Sequence, residues 1–370
     1  MKIKVGIIGM GEHIGIAKQH IESYLALNNN VTIVALYDKE KNQCIKYKEK
    51  YNLDDATIYN SLDDLLDNVD AISICTPNNT HVPIALKASE KKVHVLCEKP
   101  FSTNRENTFE LIESIEKSNI VNMIGLCYRE QPFYRYLKDL IEKDTFGNIQ
   151  YIKMSLGGGR FANTDVKREW RLNTETSGSG ALSDFGSHMF DIIDYIFSSK
   201  IGKFKTIFAQ SSCYISERKS ETSANFEKVS NDDVCIFSCK TEKNVLANLT
   251  ASRIGATHSL ELYGDKGYAL IDGDKMDTID VILKDVNQGY GGLKKKTLNI
   301  PNEYLLINNN KASNAHSIGF YHEVKEFVEN ILNNSPKSSR DFKRGSYIQY
   351  LLDESYKSSK NNILVELNEE

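Results

Sequence analysis

The chain has 370 residues, 40% apolar and 26% charged, with a formal net charge of −4. That is globular make-up, and at roughly 150 residues per domain it implies two or three domains. With 46 Lys and Arg against 50 Asp and Glu, and no long basic block, nothing supplies the positive footprint that a nucleic acid requires. The longest apolar stretches are strand-sized, far short of the roughly 18 to 20 residues that cross a bilayer. The N-terminus also lacks a charged segment followed by an apolar one and a cleavage site. A soluble, cytoplasmic protein is expected, with neither nucleic acid nor membrane as partner.

From Lys2 to about Leu126 the pattern alternates strand and helix. Short β-branched runs (KVGIIG, VTIVALYD, AISICTP, VHVLCEKP, VNMIGL) are separated by helical stretches such as AKQHIESYLAL and RENTFELIESIEK. Repeated βα units imply a parallel sheet covered on both faces. A helical segment, QPFYRYLKDLIEKD, then leads through Phe146 and Gly147 into a region of different character. From Ile149 to about Leu298 strand-like runs follow one another on short turns, as in an antiparallel sheet, interrupted by one strong helix between Ala181 and Phe197. Two amphipathic helices, near Ala315 to Leu332 and Phe342 to Ser358, close the chain. The expected division is therefore a first domain over 1–126 and a second, α+β domain over 127–370 with a large, mostly antiparallel open sheet. The seven Cys (44, 75, 97, 127, 213, 235 and 239) form no CxxC pair. An odd count of this kind points to reduced core thiols rather than to disulfides or a zinc ribbon, and no metal site is expected.

The segment KVGIIGMGEHIG follows a strand and opens a helix, the context that a dinucleotide fingerprint must have. Gly9 permits the tight turn, Met10 follows it, and Gly11 lets the backbone approach a pyrophosphate seated on the helix N-terminus. The third glycine of GxGxxG would fall at Ile14, whereas the glycine here is Gly15, which implies one extra residue in the turn. The second strand ends in Asp38, close to where an acidic residue bonds the adenosine ribose. A carboxylate there repels a 2′-phosphate, so NAD is expected in preference to NADP.

Two later strands finish in polar loops, Thr76-Pro77-Asn78-Asn79-Thr80-His81 and Glu98-Lys99-Pro100. Ligands of an open parallel sheet bind outside the carboxyl ends of its strands, so both loops should face the crevice near Gly11. A Lys at the mouth of an apolar strand is suited to polarising or proton-exchange work, with Glu98 orienting it. Taken alone, Lys99 also reads as a solvated turn residue, and His81 reads equally as a structural cap. In order along the chain stand GIIGMG, TPNNTH, CEKPFSTN, the Tyr128-Arg129 pair, SGSGALSDFGSHMFD and ELYGDKG. This set resembles the Gfo/Idh/MocA family of sugar and polyol oxidoreductases over nearly the whole chain. The resemblance implies an N-terminal Rossmann fold whose cofactor lies against Gly9, Met10, Gly11, Asp38, Thr76, Pro77, Asn78, His81, Glu98 and Lys99.

Asp184, His188 and Asp191 are four and three residues apart and fall on one face of the expected helix. By itself a helical His is commonly a satisfied core residue. The resemblance matches Asp184 and His188 to the family's Asp-x-x-x-His pair and Lys99 to its lysine. It implies that His188 takes the substrate hydroxyl proton, Lys99 polarises or relays, and Asp184 orients the sugar, with Asp191 as structural support. Tyr128, Arg160, Trp170 and Arg171 are candidates for the substrate wall. Trp170 offers an aromatic face to sugar C–H groups or simply fills a core, and the two Arg bind a phosphate or form surface pairs.

The expected activity is NAD-dependent hydride transfer from a secondary hydroxyl of a cyclic polyol or sugar, with inositols favoured because SGSGALSDFGSHM resembles the family's inositol dehydrogenases. A sugar-phosphate or nucleotide-sugar 3-dehydrogenase is the neighbouring reading. An NAD-dependent glycosidase and a non-enzymatic dinucleotide sensor are the readings from other classes. Apolar side chains on more than one position of NVLANLTASRI leave the sheet available for self-association, and a homodimer or homotetramer is expected.

Overall fold

A computed structural model describes residues 2–11, 15–284, 293–308 and 310–368. Ile14, the expected place of the third fingerprint glycine, lies outside the described residues. The chain forms two compact units, Met1–Cys127 with Ile307–Gln349, and Tyr128–Leu306 with Tyr350–Glu370.

In the first unit the apolar runs become β1 (Ile3–Ile8), β2 (Val31–Tyr37), β3 (Thr57–Ile58), β4 (Ala71–Ile74), β5 (His94–Glu98) and β6 (Asn122–Gly125). They alternate with α1 (Ile16–Ala26), α2 (Lys41–Lys50), α3 (Leu62–Leu66), α4 (His81–Glu90) and α5 (Phe109–Ser118). The sheet is parallel throughout in the order β3-β2-β1-β4-β5-β6. Both faces are covered, as near-continuous β-branched strands require. Val5, Ile7 and Met123 share one core with Ile21 and Tyr24 of α1. Ile72, Ile74 and Val95 share the other with Ala85 of α4 and Leu111 of α5.

The second unit holds α6 (Pro132–Glu142), β7 (Ile149–Gly157), α7 (Thr174–Ser177), a π turn over Leu182–Gly186, α8 (Ser187–Ile201) and β8 (Phe204–Ser212). There follow β9 (Glu217–Lys219), β10 (Phe226–Lys228), β11 (Val234–Thr241), β12 (Leu246–Ser252), β13 (His258–Gly264), β14 (Gly267–Asp272), β15 (Thr278–Lys284) and β16 (Leu293–Asn299). A short pair, β17 (Leu306–Ile307) and β18 (Asn310–Lys311), precedes α9 (Ala315–Leu332), α10 (Phe342–Asn361) and β19 (Val365–Glu366). The large sheet runs β16-β15-β14-β13-β7-β12-β11-β8-β19. It is antiparallel except for β7 beside β12, the one parallel pair among its described strands. Alternation sets its two faces: Cys235, Phe237 and Cys239 of β11 are buried, while Ile236 between them is exposed.

The arrangement differs from the expected uninterrupted stretch 127–370. Helix α9 and the start of α10 belong to the first unit, because Val324, Phe327 and Val328 of α9 complete the core beneath α1. An apolar stripe shows that a helix packs, but not on which core. Phe327 is fully buried there, so its truncation to Ala is expected to cost about 3–5 kcal/mol.

The cysteines are all free thiols, five of them buried. Burial pushes the Cys44 thiol up to about 11 and raises Cys75, Cys97 and Cys127 well above the usual range. Thiols held this way are inert packing groups. Among the described residues no helix is long and apolar enough to cross a membrane.

Candidate active site

In the first unit the strand order reverses between β1 and β4, which is where an open parallel sheet leaves its crevice. Gly9 ends β1 with φ +89°, and a Cβ there would lie 2.6 Å from Thr76 Cγ2 and 2.9 Å from Thr76 N. Both the dihedral and the space therefore demand glycine. Gly11 differs: a Cβ there would meet nothing within 4 Å among the described residues, so none of these requires it to lack a side chain. The Met10 side chain is fully buried, which leaves its backbone as its contribution at the turn. That amide donates to Asp38 Oδ2 at 2.6 Å, and Glu40 N–H donates to Asp38 Oδ1 at 2.8 Å. Asp38 is thus fixed past the end of β2, beside the glycine turn. An open cradle at Gly11, a tight turn at Gly9 and a carboxylate tied to that turn fit a dinucleotide.

The loop after β4 passes through Thr76 and Pro77, both half-buried, into a 3-10 turn over Asn78–Thr80, where Asn78 is buried. The Thr80 hydroxyl donates to Thr76 Oγ1 at 2.7 Å. His81 departs from the expectation of a cofactor contact. Its ring is fully buried, with Nδ1 2.9 Å from the Pro100 carbonyl oxygen and Nε2 2.9 Å from that of Thr76. Both ring nitrogens face carbonyls, so His81 ties the β4 loop to the β5 loop and leaves nothing for a ligand. Burial pushes its pKa below the ordinary histidine value, against the raising effect of those carbonyls. Lys99 is half-buried just past β5, and its backbone N–H donates to Glu98 Oε2 at 3.2 Å. Glu98 is itself buried, and its carboxylate lies within 4.8 Å of a His20 ring nitrogen and a Glu323 carboxylate oxygen.

The second unit presents Asp184 and His188 on successive turns. The expected plain α-helix is corrected at its start, because Asp184 lies in the π turn and His188 in the first turn of α8. A π turn takes one more residue per hydrogen-bonded loop than an α turn and is frequent at functional sites. Asp184 is half-buried, whereas His188 is 3% exposed. The His188 ring stacks on Tyr128 with centroids 3.9 Å apart and planes 11° from parallel. Tyr128 in turn stacks on His258 at 5.8 Å, and Tyr134 Oη lies 3.0 Å from His258 Nε2. Asp191 is committed to Arg129, which donates to it through Nε and Nη2, and both side chains are buried. The structural role expected of Asp191 therefore has a named partner.

The start of this helix is held from far along the chain. Asp232 is buried and accepts from Gly180 N–H at 2.7 Å and Leu182 N–H at 3.0 Å. A Cβ on Gly180 would lie 1.9 Å from the Asp232 carbonyl oxygen, so this glycine serves close approach to the protein's own backbone. Burial raises the Asp232 carboxyl against the opposing effects of Arg253 and the two amides. Arg253 donates to Asn231 Oδ1 at 2.9 Å and to the Arg171 carbonyl oxygen at 2.8 Å. Asp232, Arg253 and His258 are not recoverable from local motifs; the only cue is a pair of carboxylates directly before β11.

The expected substrate wall is mixed. Arg160 donates to both carboxylate oxygens of buried Glu169, each at 2.7 Å, so its charge is already paired. Arg171 reaches the same carboxylate at 3.5 Å, and its Cζ lies 4.3 Å from the Trp170 ring centroid. Burial lowers the Arg171 pKa, against Glu169 and Asp184. Trp170 is half-buried, neither a core residue nor a free ring.

Known proteins match a segment in each unit. A family model described as an oxidoreductase family with an NAD-binding Rossmann fold matches residues 3–126, and a GFO/IDH/MocA C-terminal domain matches residues 134–270. Myo-inositol 2-dehydrogenase of Thermotoga maritima is 24% identical over 99% of both chains. Glucose-6-phosphate 3-dehydrogenase of Bacillus subtilis is 30% identical over 53% of this chain and 54% of its own. A solved levoglucosan dehydrogenase, in complex with NADH and levoglucosan, superposes with a TM-score of 0.88 at 20% identity, covering 100% of each chain.

Proposed function

The chain belongs to the Gfo/Idh/MocA family of oxidoreductases, and from that premise we propose that it oxidises a secondary hydroxyl of an unphosphorylated cyclic polyol or sugar, inositols foremost, using NAD. The observation that carries the reading is His188. It is an almost fully buried imidazole, stacked face to face on Tyr128, one turn beyond a half-buried carboxylate. A base so enclosed is pre-oriented and dry, as proton abstraction from a carbinol requires.

His188 accepts the hydroxyl proton, Asp184 orients the sugar and tunes the imidazole, and Lys99 polarises the reacting oxygen or relays the proton. Tyr128 keeps the imidazole plane in place, while Trp170 and Arg171 line the substrate wall. When bound, the nicotinamide of NAD supplies the hydride acceptor. Gly11 gives the pyrophosphate room, Gly9 and the Met10 backbone shape the turn, and Asp38 accepts from the ribose hydroxyls, which favours NAD over NADP. Thr76, Pro77 and Asn78 flank the same crevice.

An uncharged substrate is favoured over a sugar phosphate because Arg160 directs both terminal guanidinium nitrogens to Glu169, which already neutralises its charge. We further propose a homodimer or homotetramer joined through the outer sheet face, where Ile236 is 54% and Leu246 51% exposed.

The test is a panel of inositols, hexoses, their phosphates and glycosides, followed by NADH absorbance with either cofactor. Steady NADH growth with an unphosphorylated polyol or sugar is the expected result. Oxidation of phosphates alone would replace the substrate class. Glycoside cleavage without NADH accumulation, or binding without turnover, would replace the reaction.

A further inference from the structure

A buried polar chain in the first unit is left over from the proposed chemistry. His20 projects from α1 with no exposure at all. Its Nε2 lies 2.9 Å from Glu98 Oε1, its Nδ1 lies 3.1 Å from Ser73 Oγ, and Ser73 Oγ lies 2.8 Å from Tyr24 Oη. Each of these groups is buried, on α1, on β4 between the other two elements, or at the end of β5. These contacts admit one continuous run of donors, from the Tyr24 phenol through Ser73 to the imidazole, with Nε2 donating to Glu98 Oε1. Burial keeps that phenol protonated by raising its pKa far above the ordinary value.

The other oxygen of Glu98 accepts the Lys99 backbone N–H. Glu98 is thus gripped on one side by α1 and on the other by the residue it precedes. Two neighbours enforce the geometry. A Cβ on Gly125 of β6 would come within 3.0 Å of Glu98 Oε1, and the Phe320 ring meets His20 edge-on at 5.5 Å. The His20 ring therefore has little room to turn, and the carboxylate little room to swing away.

We propose that His20 is a positioning residue for Lys99: through Glu98 it fixes the backbone from which the lysine leaves β5, and it locks that strand end to the helix that follows the glycine turn. The inference rests on the reading above that Lys99 takes part in turnover. It adds a residue that no part of the dinucleotide fingerprint or the Glu-Lys-Pro loop contains. Tyr24 and Ser73 hold the imidazole in the required orientation, as outer partners hold a functional His elsewhere.

The test uses the full-length protein and compares His20→Leu, which removes both hydrogen bonds, with His20→Gln, which retains an N–H toward Glu98. With an oxidised member of the polyol panel, His20→Leu is expected to lower kcat by about 10- to 30-fold, with KM for polyol and NAD nearly unchanged, while His20→Gln recovers most of the loss. The effect should vanish in a Lys99→Ala background, because residues that act as a unit are non-additive. A readout independent of turnover is the 13C-dimethyl resonance of Lys99 after reductive methylation, identified by its loss in Lys99→Ala. His20→Leu should shift or broaden it and His20→Gln should not. If His20→Leu is not obtained folded, Ser73→Ala is the substitute, with a smaller loss of kcat that also vanishes without Lys99. Losses that multiply with that of Lys99→Ala, or an unmoved Lys99 resonance, would overturn the inference while leaving the lysine's role standing. Full turnover by Lys99→Ala would overturn that role, and the inference with it.

Discussion

Gly9, Asp38 and Lys99 in the first unit each stand just past the end of a parallel strand, whereas Asp184 and His188 in the second unit stand on the opening turns of a helix. Parallel register carries the strand ends of the first unit to one edge of the sheet, so strand pairing sets where these residues stand and side-chain ties such as those at Asp38 and Glu98 only refine it. The helix start of the second unit depends instead on a single buried carboxylate, Asp232, and on ring stacking. A site built on a sheet edge inherits its geometry; a site built on a helix entry must have it held in place. Loss of one side chain should therefore disturb chemistry in the first unit and both chemistry and folding in the second.

The largest effect is expected at the proposed base. His188→Ala should lower kcat by about 10²- to 10⁴-fold, the usual contribution of a general base. NADH binding, followed by fluorescence, should stay near the wild-type value. Turnover within threefold of wild type would remove His188 from the mechanism and leave its stack on Tyr128 as packing alone.

Next comes the tie that holds the helix. Asp232→Ala leaves two buried amides without their acceptor and should cost about 2–4 kcal/mol in urea unfolding. Its pH dependence has a definite sign. The carboxyl is raised above its ordinary value of 3.8, chiefly by burial. A raised carboxyl contributes its full stability below the unfolded value and loses part of it as pH rises through the folded one. The gap between wild type and Asp232→Asn should therefore be wider at acid pH and narrow on going toward neutrality. A gap that widens with pH would mean that the amides and Arg253 outweigh burial.

In the first unit a single loss should change selectivity without unfolding. Asp38→Ala is expected to raise the NADP-to-NAD ratio of kcat/KM by about tenfold, since it removes the carboxylate proposed to accept from the ribose and to repel a 2′-phosphate. Some loosening of the turn will accompany it, because Asp38 also holds the Met10 amide. A wild-type enzyme that already prefers NADP would contradict the assignment outright.

What the sequence revealed follows the same division. The tight turn at Gly9 and the strand end before Asp38 were readable because such places constrain residue type over a few positions. The strands of the second unit were readable for the same reason, since alternation such as that of Val234–Thr241 is local. His81 was not: only the fold reveals that its two nitrogens are taken by the Thr76 and Pro100 carbonyls. Asp232 and His258 lie far along the chain from the residues they support, and α9 carries an apolar stripe that names no partner. The π turn at Asp184 also escaped, because its side-chain spacing is compatible with an ordinary helix.

The smallest effect sharpens the contrast between two carboxylates of the second unit. Asp144 is exposed and accepts from Lys200 and Lys266, which hold its carboxyl down at about 2 against an ordinary 3.8. A depressed carboxyl contributes stability above the unfolded value and loses it as pH falls through the folded one. Asp144→Asn should therefore remove a small acid-side loss between about pH 4 and pH 2, the reverse of the trend at Asp232. Water screens this pair of contacts, so the change in Tm at neutral pH should be about 1 °C or less. Molar salt should abolish it, since exposed pairs are screened where buried ones are not. If Asp144→Asn instead destabilises as strongly as Asp232→Asn, and salt leaves the loss unchanged, then Asp144 is as much a structural tie as Asp232. Support in the second unit would then extend to its surface.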